Sequence, residues 1–433
     1  MTVNVTSSFN FEGGFIFVKV IRPVCCGMDV HKDIIVATIA TTNQDGIAEY
    51  QQRQFNSQNY SLYELKTWLK NHNCSDVAME STGKYWIPIF NVLEDEINVC
   101  VAHPKYTKAI KGKKTDKKDS KWIADLFRHD LIKSSFIPPK EIRQLRELSR
   151  YRIKLIGMRS SEKLRYQNAM TISNIGLASI LTDPFGKSAK AIMHEALNSQ
   201  TLDEEKIKSL LKKSAKKKTE AVLKSLEGSH VETDQKLKMT IASKHMDELD
   251  KHIEEIELEM AKRCIPYTSL IECLIKIPGI SYLAAMTIIA EIGVDMSQFE
   301  TDKQLCCWAG LAPANNESAS KKKSVKISKA GSYIKPLLVQ CALSAIKSNN
   351  EPYYKIKYNN IKKRRGHKKA IIAIARMMLV ASYHILLSGE VFNPSDLEEI
   401  HKPKTSKNKM TTESALAFLQ AQGYDVSSIS IAV

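Results

Sequence analysis

Three segments that together are rich in Val, Ile and Thr follow one another near the start of the chain, with short polar turns between them. They are residues 24–30, 34–41 and 49–55, and the turns are His31-Lys32-Asp33 and Asn43-Gln44-Asp45-Gly46. β-Branched side chains favour strands, and clusters of Asn, Asp and Gly favour tight turns. The pattern therefore predicts three consecutive strands that pair as antiparallel neighbours.

The segments that follow alternate between helical and strand patterns. A helical pattern at residues 62–69 precedes a short apolar strand that ends at Glu80, a helix at 86–93 and a strand at 98–101. Three antiparallel strands followed by this alternation are what a ribonuclease-H-like sheet requires. Residues 22–135 are therefore expected to form an α/β domain of that kind, after an extension at residues 1–21.

Residues 136–265 are expected to form a helical, coiled-coil region. The stretch 140–265 contains a single proline, Pro184, so it can hold long helices. An apolar stripe at alternating spacings of three and four suits either the core of a helix bundle or a seam between two copies. The sequence leaves both alternatives open for its residues, which are Met239, Ala242, Met246, Leu249, Ile253, Ile256 and Met260.

Three further segments complete the predicted organisation. Residues from about 171 to 233 are interpreted as a helical insertion with a lysine run, and such runs are usually solvated faces. Residues 266–400 are apolar and helical around one polar loop at 313–326, which predicts a mostly α C-terminal domain. Residues 401–433 are interpreted as a polar tail.

The chain is strongly basic. Its 433 residues include 64 Lys and Arg against 47 Asp and Glu, a formal net charge of +17. This charge favours a polyanionic partner, with nucleic acid ahead of an anionic membrane surface. The sequence contains no run of about 18 apolar residues, no signal-peptide pattern at residues 1–10 and no Cys-x-x-Cys among its nine cysteines. We therefore expect a soluble, cytoplasmic protein without a membrane span, a zinc ribbon or a disulfide framework.

Four carboxylates stand out by position. Asp29 falls inside the first strand, where a charge in an apolar run needs a partner or a metal ion to offset its desolvation. Glu80 ends a later strand, while Asp116 and Asp119 are three apart and share one face if they lie on a helix. Asp116 also has a simpler alternative role, because an acidic residue in the first turn complements the helix dipole. Carboxylates that converge on one sheet end suit Mg²⁺ or Mn²⁺.

Lysines crowd the segment that contains the Asp pair. Acidic metal ligands within a basic strip are typical of phosphodiester chemistry. The lysines nearest to the pair are candidate nucleic-acid contacts, namely Lys111, Lys113, Lys114, Lys117 and Lys118.

These motifs resemble those of the DEDD transposases of bacterial insertion sequences, a family of RNA-guided recombinases that use a bridge RNA. The matching segments are Gly27-Met28-Asp29-Val30-His31-Lys32, Met79-Glu80-Ser81-Thr82-Gly83 and Lys114-Thr115-Asp116-Lys117-Lys118-Asp119. The resemblance implies a RuvC-like fold, as in Holliday-junction resolvases, for the N-terminal domain. It also implies that Asp29, Glu80, Asp116 and Asp119 are catalytic and bind Mg²⁺ or Mn²⁺.

The second half of the chain carries the family's C-terminal motifs in order. They are Ile277-Pro278-Gly279-Ile280, Trp308-Ala309-Gly310-Leu311-Ala312-Pro313, Asn316-Glu317-Ser318 and Ser328-Lys329-Ala330-Gly331. In the family a loop serine shortly after the Gly-Leu-x-Pro motif is the nucleophile, and Ser318 occupies that position. Ser320, Ser324 and Ser328 are close enough to be confused with it. The serine and the carboxylates lie in different domains, so the resemblance implies a composite site formed between domains or subunits.

Two further features could contact nucleic acid. The Pro278-Gly279 turn between apolar helical segments is either a packed turn or a helix-hairpin-helix whose second helix accepts a phosphate. Basic clusters are candidate contacts with the phosphate backbone, at Lys321, Lys322, Lys323, Lys363, Arg364 and Arg365. No major-groove recognition motif is apparent, which suits a protein whose target choice depends on base pairing.

The sequence thus favours an insertion-sequence transposase that cuts and rejoins DNA through a metal-assisted serine nucleophile. Its expected partners are DNA, as element ends and target, a bridge RNA and further copies of itself in a dimer or tetramer. One alternative is a RuvC-like metal-dependent nuclease in which water attacks. Another is a non-catalytic architectural protein that binds nucleic acid. The chain is longer than compact members of the family, and the excess lies in the insertion and the N-terminal extension.

Overall fold

The structure is a computed structural model that describes residues 5–11, 14–44, 46–81, 83–102, 115–132, 134–198, 203–313, 317–318, 321–322, 326–397 and 420–422. For residues 5–11, 14–18, 213, 317–318 and 321–322 it describes the backbone alone. The chain divides into two compact units, Met1–Ile137 and Pro138–Val433.

An antiparallel hairpin precedes the main sheet of the first unit. It consists of β1 (Val5–Phe11) and β2 (Gly14–Val20). Just after it, the backbone N–H groups of Ile21 and Arg22 both donate to the carbonyl of Arg128, at 2.9 and 3.1 Å. The sequence pattern predicts only an extension here, and the structure adds the hairpin.

A five-stranded mixed sheet forms the centre of the first unit. Across the sheet the order is β5-β4-β3-β6-β7. The first three strands in the chain pair antiparallel, whereas β6 runs parallel to β3 and β7 runs parallel to β6. The predicted mixed α/β sheet is therefore confirmed, with strand ends within one residue of those expected: β3 (Val24–Val30), β4 (Ile34–Thr42), β5 (Ala48–Asn56), β6 (Asp76–Glu80) and β7 (Asn98–Ala102).

Helices cover both faces of this sheet. α1 (Asn59–Asn71) and α2 (Trp86–Leu93) pack on the face that presents Cys26 and Met28 of β3. α3 (Asp116–Arg128) packs on the opposite face. Successive side chains of a strand alternate between faces, so Cys25, Gly27 and Asp29 all belong to the face that α3 covers.

Two long antiparallel helices, α4 (Lys140–Ile172) and α9 (Thr233–Arg263), begin the second unit. Their ion pairs show the antiparallel direction, because the residue numbers of the partners rise along α4 while they fall along α9. The pairs are Arg152–Glu257, Arg159–Asp250 and Glu162–His245.

The apolar stripe of α9 packs against α4 of the same chain. Leu249 and Ile253 are buried in one cluster with Leu155, and Ile256 packs against it. Every member of the stripe except Ile256, which is partly buried, is at most 7% exposed. The structure therefore corresponds to the bundle-core alternative for these residues.

The segment between α4 and α9 consists of short helices around a core of its own. Leu177, Ile192 and Val222 belong to this core, together with Met170 of α4 and Met239 of α9. The elements are α5 (Leu177–Ile180), α6 (Lys187–Asn198), α7 (Glu204–Leu210), a 3₁₀ helix (Lys213–Lys218) and α8 (Thr219–Leu226).

In the described part of the chain, six further α-helices follow α9 in the second unit. They are α10 (Thr268–Leu274), α11 (Tyr282–Ile292), α12 (Asp302–Trp308), α13 (Ile334–Ala345), α14 (Tyr353–Arg365) and α15 (His367–Ser388). Short 3₁₀ helices lie at Ile265–Tyr267 and Met296–Gln298. Within the described ranges, α15 alone is long and apolar enough to cross a membrane, by length and composition only. Its most apolar stretch is 56% buried against neighbouring helices, which is typical of a core helix.

A buried ion pair joins α4 to α11. Nε and Nη2 of Arg150 donate to the two carboxylate oxygens of Glu291, both at 2.8 Å, and the Glu291 side chain is 2% exposed. Arg146 donates to the backbone carbonyls of Ala290 and Glu291, at 3.0 and 2.7 Å. Burial lowers the pKa of Arg146 to about 10, so its guanidinium stays charged at neutral pH.

Candidate functional site

Gly27 determines how closely α3 approaches the sheet. A Cβ at this position would lie 2.2 Å from the backbone nitrogen of Ala124 and 2.3 Å from the carbonyl oxygen of Ser120. Only a residue without a side chain permits that contact. Asp29 lies two residues beyond Gly27 on the same face, so the N-terminal turn of α3 lies beside it.

The first turn of α3 carries Asp116 and Asp119. Thr115 is its N-cap, and its hydroxyl accepts a hydrogen bond from the backbone N–H of Lys118 at 3.4 Å. Acidic residues here complement the helix dipole, so the simpler role considered for Asp116 also applies. The dipole does not explain why this turn lies against Asp29.

A polar network of two buried hydroxyls and one exposed amide fixes the first turn of α3 on the sheet. The hydroxyls of Thr38 and Ser120 are 2.7 Å apart, and Thr38 is 1% exposed. The amide nitrogen of Gln52 donates to Thr38 Oγ1 at 2.7 Å, to Ser120 Oγ at 3.1 Å and to the carbonyl of Lys117 at 2.9 Å. Strands β4 and β5 therefore hold the helix turn that presents the two aspartates.

Asp29, His31 and Asp116 form the candidate site. Nε2 of His31 lies 3.2 Å from Asp29 Oδ2 and 3.5 Å from Asp116 Oδ1. One ligand atom from each residue lies within 4.8 Å of the other two. No other group of at least three His, Cys, Asp or Glu residues in the described segments has this arrangement.

The electrostatics of Asp29 show how close the acidic residues are. Burial raises the pKa of this carboxyl above its ordinary value, and the negative charges of Asp116 and Asp119 raise it further. His31 acts in the opposite direction, through its charge and its hydrogen bond. The Asp29 side chain is 13% exposed, against 55% for Asp116. A cation at this place would relieve the repulsion between the carboxylates.

Glu80 and Asp119 lie outside the three-residue group. Glu80 is half-buried at the end of β6, one position beyond the pairing of Met28 with Met79, so it comes level with Asp29 on the neighbouring strand. Gly83 follows with a φ of +56°. Lack of space does not require glycine here, because a Cβ would be 3.6 Å from the Tyr85 ring, an ordinary contact. The positive φ does favour glycine, since residues with a side chain rarely adopt it.

The residues present fit a divalent cation. Metal–oxygen bonds of Mg²⁺ are about 2.0–2.1 Å long, so two atoms bound to one ion are at most about 4.2 Å apart. The distances from His31 Nε2 to the two carboxylates are below that limit. The oxygens of Asp29 and Asp116 lie within 4.8 Å of each other, so rotation of the exposed Asp116 side chain would bring all three atoms within it. Carboxylate oxygens are suitable ligands for Mg²⁺ and Mn²⁺, and Asp119 and Glu80 lie on elements that adjoin the cluster.

Ser318 lies on a β-hairpin of the second unit. β8 (Glu317–Ser318) pairs antiparallel with β9 (Lys321–Lys322). Ser318 is opposite Lys321, and two residues separate the strands. Nearer the base, Pro313 and Ile327 form an antiparallel bridge. The predicted serine is therefore at the distal end of a short hairpin.

Two glycines bring the ends of this hairpin segment together. Gly310 and Gly331 have φ values of +65° and +67°. A Cβ on Gly310 would lie 2.5 Å from the Ala330 carbonyl oxygen, and one on Gly331 would lie 2.1 Å from that of Ala309. Lys335 Nζ donates to the Ala330 carbonyl at 2.7 Å. The hairpin thus starts and ends on closely packed backbone.

The predicted nucleic-acid contacts fall into three groups. Lys117 and Lys118 are exposed on the first turn of α3, and Lys363, Arg364 and Arg365 are exposed on the last turn of α14. For Lys321 and Lys322 the backbone position in β9 is described. Outside the described residues lie Lys111, Lys113, Lys114 and Lys323.

The Pro278-Gly279 turn packs against α13. Gly279 has a φ of +91°, and a Cβ there would lie 2.5 Å from the carbonyl oxygen of Cys341. The Ser281 hydroxyl caps α11 by accepting a hydrogen bond from the N–H of Ala284 at 3.2 Å. One of the N–H groups that a phosphate would need therefore has a partner already, which supports the packed-turn alternative.

Sequence reasoning did not include His31 among the site residues. Its signal was its place two residues after Asp29, which puts both side chains toward one face if the strand geometry continues. The supporting residues Thr38, Gln52 and Ser120 gave no such signal, because they meet only through the packing of α3 on β4 and β5.

Two family models match the chain. A DEDD transposase model of the IS110 group matches residues 26–175, and a model described as "Transposase IS116/IS110/IS902 family" matches residues 271–359. The first match includes Asp29, Glu80, Asp116 and Asp119, and the second includes Ser318.

Two curated proteins are similar to parts of the chain. The transposase for insertion sequence element IS1111A of Coxiella burnetii is 29% identical over 119 residues, which are 27% of this chain and 32% of that protein. The putative transposase y4qE of Sinorhizobium fredii is 32% identical over 102 residues, which are 23% of this chain and 25% of that protein. The chain thus aligns with a third or less of the length of each relative.

Proposed function

We propose that this chain is an insertion-sequence transposase that cuts and rejoins DNA. It matches the models of both IS110-family transposase domains. The observation that carries the proposal is the cluster in which His31 lies between the carboxylates of Asp29 and Asp116. Such a cluster, at the end of a central strand, suits the divalent-metal chemistry of phosphodiester cleavage.

The first unit is proposed to work as a RuvC-like, ribonuclease-H-like catalytic domain. Its strand order, with three antiparallel strands followed by two parallel ones, supports this assignment. So does the placement of Asp29 and Glu80 at the ends of neighbouring parallel strands. Parallel neighbours present their carboxyl ends at the same sheet edge, where ligands commonly bind.

Asp29, Glu80, Asp116 and Asp119 are proposed to hold Mg²⁺ or Mn²⁺. The carboxylates of Asp29 and Asp116 lie on either side of His31 Nε2, and Asp119 is close enough to raise the pKa of Asp29. A bound divalent ion would stabilise the negative charge that develops on the phosphate and on the leaving oxygen. The network of buried Thr38 and Ser120 with exposed Gln52 holds the helix turn that carries the two α3 aspartates.

Ser318 is proposed as the nucleophile. Its Oγ forms a bond to the phosphorus and gives up its proton, the bond from phosphorus to one sugar oxygen breaks, and that oxygen takes up a proton and leaves as a free hydroxyl. A hydroxyl of a second DNA end then attacks the phosphoserine, which restores a phosphodiester and releases the serine. Because the bond energy is retained in the serine ester, rejoining needs no ATP. The hairpin position of Ser318, with its base on closely packed backbone, supports this role.

Nucleic-acid partners follow from charge and from the family. The net charge of +17 and the exposed cations Lys117, Lys118, Lys363, Arg364 and Arg365 support contacts with DNA or RNA phosphates. The resemblance to bridge-RNA recombinases leads us to propose a guide RNA and a homo-oligomer, dimer or tetramer. Sequencing of the RNA that copurifies with the full-length protein tests the guide, and random cellular RNA would count against it.

The covalent step provides the main test. A nicked or suicide DNA substrate should give a denaturant-resistant protein–DNA adduct, and peptide mapping should place it on Ser318. Ser318→Ala should lose the adduct and strand exchange while still binding DNA. Asp29→Asn and Asp119→Asn should lose cleavage but keep most DNA affinity, because the lysines supply it.

Matched variants separate this mechanism from its rivals. An adduct that persists in Ser318→Ala but disappears in Ser320→Ala or Ser324→Ala would move the nucleophile within the loop. Cleavage by the wild type without an adduct would favour the RuvC-like nuclease in which water attacks. Binding without any cleavage in Mg²⁺ or Mn²⁺ would favour the architectural protein.

A further inference from the structure

His31 is fixed in place by the tight turn between β3 and β4. Its backbone N–H donates to the carbonyl of Ile34 at 2.9 Å, directly beyond the last pair of the two strands, Val30 with Ile35. The ring is half exposed and points Nε2 between Asp29 and Asp116. The backbone of His31 is therefore held by the sheet, as is that of Asp29, while Asp116 lies on the first turn of α3.

We propose that His31 is a nitrogen ligand of the divalent ion and that it shifts the preference of the site from Mg²⁺ toward Mn²⁺. The inference rests on the proposed function, since it concerns the same metal site. Its basis is the juxtaposition of one imidazole nitrogen and two carboxylate oxygens, none more than 4.8 Å from another.

The distances are close to those of atoms that share an ion. Two ligand atoms at adjacent octahedral positions, each about 2.1 Å from the metal, are about 3 Å apart. The distances from His31 Nε2 to Asp29 Oδ2 and Asp116 Oδ1 are 3.2 and 3.5 Å. The oxygens of Asp29 and Asp116 lie within 4.8 Å of each other, and one ion requires them to be at most about 4.2 Å apart. Rotation of the exposed Asp116 side chain would meet that requirement.

The chemistry of the donor set indicates the metal preference. Mg²⁺ takes oxygen ligands almost exclusively. Oxygen ligands suit Mn²⁺ as well, but Mn²⁺ also belongs to the first-row transition series whose members bind mixed nitrogen and oxygen sites. The four proposed carboxylates alone would form an all-oxygen site with little preference of this kind. The addition of one nitrogen ligand strengthens binding of Mn²⁺ relative to Mg²⁺.

His31 has a competing role, in which its ring proton merely bridges the two carboxylates. In that case a metal ion displaces the ring, and no nitrogen is bound to it. The two roles differ in one observable, which is whether a histidine nitrogen is directly coupled to the metal.

Pulsed electron paramagnetic resonance of Mn²⁺ bound to the full-length protein measures that coupling. Protein labelled with ¹⁵N only in histidine should show a ¹⁵N coupling to Mn²⁺, and His31→Ala should lose it. His129→Ala is the control, because His129 is a half-buried histidine of the same unit at the opposite end of α3 from Asp116 and should leave the coupling unchanged. Absence of the coupling in the wild type, or its survival in His31→Ala, would overturn the inference.

Metal titration gives an independent readout. Loss of partners outside the first coordination shell commonly costs roughly tenfold or more in metal affinity, so loss of a ligand should weaken Mn²⁺ binding by at least about tenfold. Mg²⁺ binding should change much less in His31→Ala. Equal weakening for both ions would contradict the proposed preference. Wild-type protein that binds neither ion would instead contradict the metal site of the proposed function itself, whereas Mn²⁺ bound without histidine coupling leaves that site standing.

Discussion

Gly27 of β3 and Ala124 of α3 meet with no room for a side chain between them. A Cβ on Gly27 would lie 2.2 Å from the backbone nitrogen of Ala124, well inside van der Waals contact. This contact sets the distance between helix and sheet, and thereby the distance between Asp29 and the aspartates of the first helical turn. A residue that carries no functional group thus helps to determine the geometry of the candidate site.

Gly27→Ala should destabilise the first unit because the new methyl group overlaps backbone atoms that belong to a helix and have little freedom to move. Overpacking of this kind costs about 1–3 kcal/mol and occasionally more. Urea unfolding of the full-length protein measures the change. Gly157→Ala is the control: it lies within α4 with nothing within 4 Å of the added Cβ, and it should stabilise by up to about 1 kcal/mol. A neutral Gly27→Ala would contradict the close contact.

Thr38→Val should loosen the start of α3. Valine keeps the shape but removes the hydroxyl that contacts Ser120 and Gln52. Ser120 keeps the Lys117 carbonyl and the Gln52 amide as partners, so the loss is that of an ordinary hydrogen bond, about 0.5–1.5 kcal/mol. Hydrogen exchange of the amides in the first turn of α3 should become faster. Thr38→Ser keeps the hydroxyl and should preserve slow exchange there. Equal exchange rates in the two variants would show that the network does not hold this turn.

In the absence of metal, the stability of the Asp29→Asn variant relative to that of the wild type should increase as the pH rises. The folded state holds the Asp29 proton more tightly than the unfolded chain, because burial and the nearby Asp116 and Asp119 raise its pKa. Below the ordinary pKa the carboxyl is protonated in both states and has no effect. Above it the unfolded chain releases the proton first, so wild-type stability falls until the pH passes the raised value.

Thermal melts in a chelator, at about pH 4 and about pH 7, measure this difference. The melting temperature of Asp29→Asn minus that of the wild type should be larger at the higher pH. Asp33→Asn, an exposed residue of the adjacent turn, is the control for removal of one negative charge. A difference that is independent of pH for Asp29→Asn would contradict the raised pKa.

Glu291→Gln should strongly destabilise the second unit. The Glu291 carboxylate is 2% exposed, against 49% for Asp250, and accepts two charge-assisted hydrogen bonds from Arg150. An amide in its place turns an NH2 donor toward the guanidinium where no water can accept from it. Breaking a buried pair from one side costs up to about 3–5 kcal/mol. Asp250→Asn removes the partner of Arg159 on the surface of the α4–α9 pair and should cost less than about 1 kcal/mol. Denaturant unfolding compares them, and similar losses for both variants would contradict the structural role of Glu291.

Thiol reactivity should distinguish Cys307 from most other cysteines. All nine are free, and Cys307 is the exposed one. Burial raises the pKa of Cys25 to about 12 and that of Cys341 to about 11, which removes the thiolate that alkylating reagents need. Brief alkylation of the native protein followed by mass spectrometry should therefore modify Cys307 first. Early modification of Cys25 would mean that its sheet opens readily.

The sequence predicted best those features that depend on neighbours along the chain. β3 and α2 were placed at their observed ends, because apolar runs bounded by turn residues are local signals. The approach of α3 to Gly27 depends on residues about 100 positions apart, and no local pattern encodes it. For the same reason His31 was known only as a turn residue until the first turn of α3 was placed beside it. The structure was also needed to identify the partner of the α9 stripe, because an apolar stripe has the same sequence pattern in a bundle core and in a seam between two copies.

The antiparallel course of α4 and α9 has a consequence for how the chain can vary in length. The C-terminal end of α4 and the N-terminal end of α9 lie side by side in one core, so whatever joins them starts and finishes at nearly the same point. The free energy needed to close a connection grows only with the logarithm of its length. A tight turn or a folded module of many residues would therefore leave the register of the two helices intact. Relatives of different length can share this pair of helices, because residues added between the end of α4 and the start of α9 leave the packing of the two helices unchanged.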